Sequence, residues 1–139
     1  MKDHNYIISF AIPTYNGELT LPETLNSILS QCNDSIEVVI CDDKSTDKTY
    51  EIANIFNRKY TNIKVYTNNS NLGMDKNFIK TAQLCTGKYI WLFGQDDILK
   101  DNAVNKVLTI IKDYDISIIY LKQLVVQISH LYLQHKVST

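Results

Sequence analysis

One arginine, four glycines, two prolines and three cysteines in 139 residues close off several classes of protein before any motif is sought. Arg58 stands alone among fourteen basic residues set against fifteen acidic ones, for a net charge of −1. That balance excludes a nucleic-acid binder working through bulk positive charge, so no nucleic-acid partner is expected. The glycines, Gly17, Gly73, Gly87 and Gly94, nowhere form G-x-G-x-x-G or G-x-x-x-x-G-K-[ST], so the dinucleotide fingerprint and the phosphate loop are both missing. No G-x-S-x-G elbow appears, which removes the usual hydrolase signal of α/β folds. Cys32, Cys41 and Cys85 form no C-x-x-C pair and have no histidine at metal-ligand spacing. They read as free thiols in apolar surroundings, suited to a reducing compartment. Met1 to Asn5 is polar, without an apolar signal region. The most hydrophobic stretch, Ile116 to Leu133, is broken by Lys122, Gln123, Gln127 and His130, which predicts no bilayer span. A cytoplasmic protein is expected, with a peripheral place at the inner face of the membrane left open.

What is present is an alternating chain. Hydrophobic residues make up 45% and charged residues 21%, near globular averages, and the length suits one domain. Ile7–Pro13 and Ile36–Cys41 are near-continuous apolar runs of strand length, the mark of strands buried on both faces. Ile63–Thr67, Tyr89–Phe93 and Ile116–Leu121 read as three further strands. Between them, Thr20 and Glu23 predict a capping box ahead of the stripe Leu21, Leu25, Ile28, Leu29 and Cys32. A second helix is expected from Ser45–Asp47, with Tyr50, Ala53, Phe56 and Tyr60 inward. A third opens at Asp75 with Phe78, Ile79, Ala82 and Cys85 inward, ended by Gly87 in a left-handed conformation. A fourth carries Ala103, Val104, Val107, Leu108 and Ile111. Strands alternating with helices of this length indicate crossover units and a parallel sheet. The expected division is an α/β domain over residues 1–121 and a tail over 122–139 that fits helix and strand about equally.

Ligands of an open parallel sheet bind beyond the carboxyl ends of its strands. Those ends carry Pro13-Thr14-Tyr15-Asn16-Gly17-Glu18, Asp42-Asp43-Lys44-Ser45, Asn68 to Gly73, and Gly94-Gln95-Asp96-Asp97. Two Asp–Asp pairs at one sheet edge are unusual, because adjacent carboxylates repel unless a cation or hydrogen bonds compensate. Each pair also fits a solvated turn capping the next helix, and Tyr15 fits either a stacking platform or a loop aromatic. Paired aspartates could hold a divalent cation against a diphosphate, and hard oxygen donors suit Mg²⁺ or Mn²⁺.

Taken together, Ile8–Asn16 (ISFAIPTYN), Ser27–Gln31, Val38–Thr46 (VVICDDKST), Asn71–Phe78 (NLGMDKNF) and Gly87–Asp97 (GKYIWLFGQDD) resemble a family-2 glycosyltransferase of the GT-A fold. The wording is nearest to abequosyltransferase-like enzymes that build bacterial surface polysaccharides. The resemblance covers about Ile7 to Leu121 and implies the Rossmann-like GT-A architecture. It implies transfer of a sugar from a nucleoside diphosphate to a saccharide or lipid-linked saccharide acceptor, by an inverting, metal-dependent displacement. Pro13, Thr14 and Tyr15 would line the base, with Glu18 close to it. Asp42 or Asp43 would hydrogen-bond the base or ribose, while Asn71, Gly73 and Lys76 would close over the ribose and diphosphate. Asp96 and Asp97 correspond to the D-x-D region, with Mn²⁺ or Mg²⁺ expected there. Gly94 stands where that region commonly begins with an acid, which shifts the expected metal toward a single carboxylate. The family's acceptor site and general base lie beyond the part resembled, so no catalytic base is assigned. The alternative is a nucleotide-sugar-binding module or remnant without independent transfer, and self-association through the apolar tail is expected to give a homo-oligomer.

Overall fold

The computed structural model describes residues 5–114. The predicted fifth strand, the tail and its expected self-association lie outside the described residues. Within them, β1 (Ile8–Thr14), α1 (Leu21–Leu29), β2 (Ile36–Asp42), α2 (Thr49–Lys59), β3 (Ile63–Thr67), α3 (Met74–Leu84), β4 (Tyr89–Leu92) and α4 (Ala103–Asp113) follow in strict alternation. The four strands form one parallel sheet in the order β3-β2-β1-β4. This is the expected Rossmann-like α/β arrangement. Strand order grows leftward from β1 to β3 and then reverses, so the topological switch lies between β1 and β4, where such sheets bind ligands. None of the described helices is long and apolar enough to cross a membrane.

The sheet is buried because its two central strands are apolar throughout, but its faces are unlike. On one side Ile8, Phe10, Ile12, Ile36, Val38 and Ile40 meet Leu21, Leu25 and Ile28 of α1 and Val104 of α4. Phe10 stacks on Trp91 at 4.7 Å and meets Phe93 edge-on at 5.7 Å. On the other side lies α3, whose fully buried residues are polar, Asn77 and Thr81. The predicted apolar stripe fails here: Ile79 is 61% exposed. Asn77 faces inward because its amide donates to the Cys41 carbonyl at 2.8 Å, which replaces water at a buried main-chain group.

A second buried polar group ties the strands near their amino ends. Glu37 is fully buried in β2. Its carboxylate accepts from the Ser9 hydroxyl and the Thr86 N–H, each at 2.5 Å, and pairs with the Lys64 ammonium at 3.0 Å. Burial drives its carboxyl upward, but these donors outweigh that and hold it below the ordinary range; Glu37 in turn raises Lys64. Gly87 belongs to this corner. It is not left-handed, as the sequence predicts, since Gly73 is the only glycine with positive φ among the described residues. Its N–H donates to Ser9 Oγ at 2.7 Å, and a Cβ there would stand 2.8 Å from the Ser9 nitrogen. A close approach to β1, not a helix stop, requires this glycine.

Three local expectations also change. Thr20 precedes α1 but makes no capping hydrogen bond, because its hydroxyl turns back toward the Gly17 carbonyl. α2 starts at Thr49 rather than at Ser45–Asp47, and Asp47 stands just before it, accepting from the N–H of Thr49 in its first turn and from the Glu18 N–H. Ala53 is buried and Phe56 and Tyr60 pack against the core as expected, but Ile52 joins them while Tyr50 is exposed. The three thiols are free as expected, and burial pushes Cys32 and Cys85 up to about 12.

Candidate functional site

The carboxyl ends of β1, β2 and β4 surround a cleft of about 560 Å³. Its walls come from four separate stretches of chain: Pro13, Thr14 and Tyr15 after β1; Asp43 after β2; Asn71, Gly73 and the first turns of α3; and Gly94, Gln95 and Asp96 after β4. Sequence reasoning names seven of these residues, Pro13, Thr14, Tyr15, Asp43, Asn71, Gly73 and Asp96, and the structure brings all seven together. Glu18, Asp42, Lys76 and Asp97 lie off the cleft lining.

The aspartate pair after β2 divides its labour. Both side chains are buried, not the solvated turn that the residue pattern also allows. Asp42 turns away from the cleft, accepting from the hydroxyls of Thr14 (3.1 Å) and Ser45 (2.6 Å) and from the Ser45 N–H. Asp43 faces the cleft and gathers the loop from Asn68 to Gly73. Its Oδ1 accepts from Asn68 Nδ2 and the Leu72 N–H, each at 2.8 Å, and its Oδ2 from the Gly73 N–H at 2.9 Å. Gly73 has φ of 89°, a left-handed value that favours glycine, and this turn starts α3 at the cleft edge. Asn68 also donates to Asn77 Oδ1 at 2.9 Å. One buried chain of contacts therefore runs from Asp43 through Asn68 and Asn77 to the Cys41 carbonyl.

Glu18 proves to be a stitch between loops. Its carboxylate accepts from the Lys48 N–H at 3.0 Å, at the start of α2. Beside it, Asn16 accepts from the Thr46 N–H, Asn16 N–H donates to Ser45 Oγ, and Gly17 N–H donates to Thr49 Oγ1. The loops after β1 and β2 are thereby fixed to each other.

The aspartate pair after β4 divides in a similar way. Asp97 is fully buried and its Oδ2 accepts from the Gly94 N–H at 3.2 Å, closing a tight turn. Asp96 is exposed and lines the cleft. A Cβ on Gly94 would stand 2.7 Å from Asp97 Oδ2 and 3.1 Å from Asp96 Oδ1, so the missing side chain at that position lets both carboxylates converge over the turn. Among the described residues no three His, Cys, Asp or Glu side chains gather into a metal cage. Of the two carboxylates expected to hold a cation, Asp96 alone reaches the cleft lining, offering hard oxygen of the kind that suits Mg²⁺ or Mn²⁺.

Two cleft residues are given no role by the sequence reading. Gln95 lines the cleft and bonds the main chain of Tyr15; its only signal is its place before Asp96. Asn77 lines the cleft from α3, and its signal is an amide within an otherwise amphipathic helix. Met74 and Phe78 add apolar wall.

The family described as Glycosyl transferase family 2 matches residues 9–135. Abequosyltransferase RfbV of Salmonella typhimurium is 44% identical over 101 residues, 70% of this chain and 30% of that protein. The minor teichoic acid biosynthesis protein GgaB of Bacillus subtilis is 30% identical over 115 residues, 81% of this chain and 13% of that one. The crystal structure of S. aureus TarS 1-349 in complex with UDP-GlcNAc superposes with a TM-score of 0.76 at 27% identity, covering 82% of this chain and 33% of that one. The chain thus spans about a third or less of the length of these relatives.

Proposed function

The chain belongs to glycosyl transferase family 2, and on that premise we propose that its cleft is the donor site of a sugar-nucleotide-dependent transferase in bacterial surface-polysaccharide biosynthesis. The observation that carries this reading is the pairing, at the sheet's switch point, of an exposed aromatic with an exposed carboxylate. Tyr15 offers a flat apolar surface to a base, and Asp96 offers hard oxygen to a cation on the diphosphate. The TarS complex with UDP-GlcNAc supports a nucleotide-sugar ligand in this fold. RfbV and GgaB support surface glycans as the setting, with a saccharide or lipid-linked saccharide as acceptor.

In this reading Pro13, Thr14 and Tyr15 hold the base. Asp43 acts chiefly through the loop it folds, setting Asn71 and Gly73 over the ribose and diphosphate, with Lys76 on the exposed first turn of α3. Asp42 and Glu18 support the walls from behind. Asp96 holds the Mn²⁺ or Mg²⁺, and Asp97 fixes the turn that aims it. The cation, when bound, neutralises charge gathering on the departing nucleoside diphosphate. An inverting displacement fits this arrangement, its general base lying outside the residues assigned here.

Calorimetric titration with UDP, CDP, GDP and dTDP, each with Mn²⁺ or with chelator, tests the reading. Metal-dependent binding of one diphosphate is expected, lost at least tenfold in Asp96→Asn while the melting temperature stays within about 2 °C, as for an exposed substitution. Absence of binding by any of the four would leave the cleft without a donor and favour a remnant of the fold.

A further inference from the structure

β1 and β4 pair from Ile8 to Ala11, and the Phe93 N–H bonded to the Ala11 carbonyl at 3.0 Å is the last rung between them. Beyond that rung the two chains part and the cleft opens. The Gln95 side chain spans the gap. Its Oε1 accepts from the Tyr15 N–H and its Nε2 donates to the Tyr15 carbonyl, each at 2.9 Å. The amide thus meets both polar groups of one peptide residue, as a neighbouring strand would. The main chain of Gln95 is itself anchored, its carbonyl accepting from the Thr24 hydroxyl of α1 at 2.8 Å. Gly17 lies against the amide: a Cβ there would stand 2.5 Å from Gln95 Cδ, so glycine leaves the room that the amide occupies.

We propose that Gln95 is a positioning residue for the nucleotide base. Resting on the donor-site reading above, it clamps Tyr15 as the base platform from the same turn that carries Asp96. The base end and the diphosphate end of the site are thereby held in one register. Neither a side chain of similar size without an amide nor an amide displaced from Tyr15 can do this. Gln95→Leu provides the first case. Gly17→Ala provides the second, because the added methyl meets the end of a flexible side chain and displaces it at little cost to the backbone.

The test measures binding of wild type and both variants, with Mn²⁺, to UDP, CDP, GDP, dTDP and pyrophosphate, alongside thermal melting. Both variants should bind the preferred nucleoside diphosphate about tenfold more weakly, within the range that aromatic stacking on a base contributes. They should also discriminate less among the four bases. Pyrophosphate, which has no base, should bind within about twofold of wild type, and melting should fall by no more than about 5 °C. Unchanged nucleotide affinity would overturn the clamp. So would a loss shared equally by pyrophosphate, or collapse of the fold in both variants, since either makes the contact merely structural. If wild type binds none of the four nucleotides, the donor-site reading falls and the clamp with it; a wild type that binds isolates the clamp's own failure.

Discussion

The two faces of the sheet are held by different physics. Toward α1 and α4 the contacts are dispersive and non-directional: Phe10, Trp91 and Phe93 nest among Leu and Ile side chains. Toward α3 they are hydrogen bonds with defined partners: Glu37 with Ser9, Thr86 and Lys64, and Asn77 with Cys41 and Asn68. An apolar face tolerates small slips of one element over another, because transfer free energy follows area. A hydrogen-bonded face does not, because each buried donor and acceptor fixes a distance and a direction. The directional face is the one continuous with the cleft, through Asn77, Asn68 and Asp43 to Gly73. Stability and precision are assigned to opposite sides of one layer.

Substitutions can break this comparison. The largest effect is expected on the dispersive face, where Phe10→Ala removes a fully buried ring and should cost about 3–5 kcal/mol, read from the shift in urea midpoint. A loss under 1 kcal/mol there would mean the aromatic cluster does not carry the fold. On the directional face, Glu37→Ala takes the acceptor from the buried Ser9 hydroxyl and releases Thr86 and the half-exposed Lys64 ammonium to water, and should cost about 2–3 kcal/mol. The same group gives a pH signature. Because its folded value is depressed, its contribution is complete above the ordinary carboxyl value of about 4.3 and is lost as pH falls through the folded value. Lys64, raised in the fold, contributes fully below about 10.4 and loses that contribution as pH rises through its folded value. Glu37→Gln should therefore flatten the acid limb of the stability profile. Smallest in stability is Asn77→Ala, about 1–2 kcal/mol, but it should weaken nucleotide binding severalfold by freeing the loop held by Asn68 and Asp43. Equal affinity in that variant would detach the polar face from the site.

The sequence is legible where burial alone decides. The runs at Ile8–Ile12 and Ile36–Cys41 mark central strands because both of their faces are covered, and Ala103, Val104 and Val107 mark the inward side of α4. It misleads where a hydrogen bond outweighs hydrophobicity. Ile79 looks like an inward residue but is exposed, while Asn77 is buried because the Cys41 carbonyl at the end of β2 needs a donor. Gly87 looks like a helix stop, and only the approach of β1 reveals its use. In the site, residue type located the aspartate pairs, the aromatic and the glycine. The division of each pair into one member off the cleft lining and one on it depends on neighbours up to 30 positions away, such as Gly73 for Asp43. No local pattern records those neighbours. Gln95 is the extreme case, its partner 80 residues distant.

That separation has a consequence for how the molecule assembles. β1 meets β2 and β2 meets β3 across spans of under 30 residues, whereas β4 rejoins β1 across 81, from Ile8 to Tyr89. Long closures cost more chain entropy before any contact rewards them. The three-strand half therefore can form early, with β4 docking as the late event that completes both the sheet and the cleft. The amides of Phe93 and Tyr15, bonded across that seam, should report the same opening in hydrogen exchange, at a lower protection than the amides between β1 and β2.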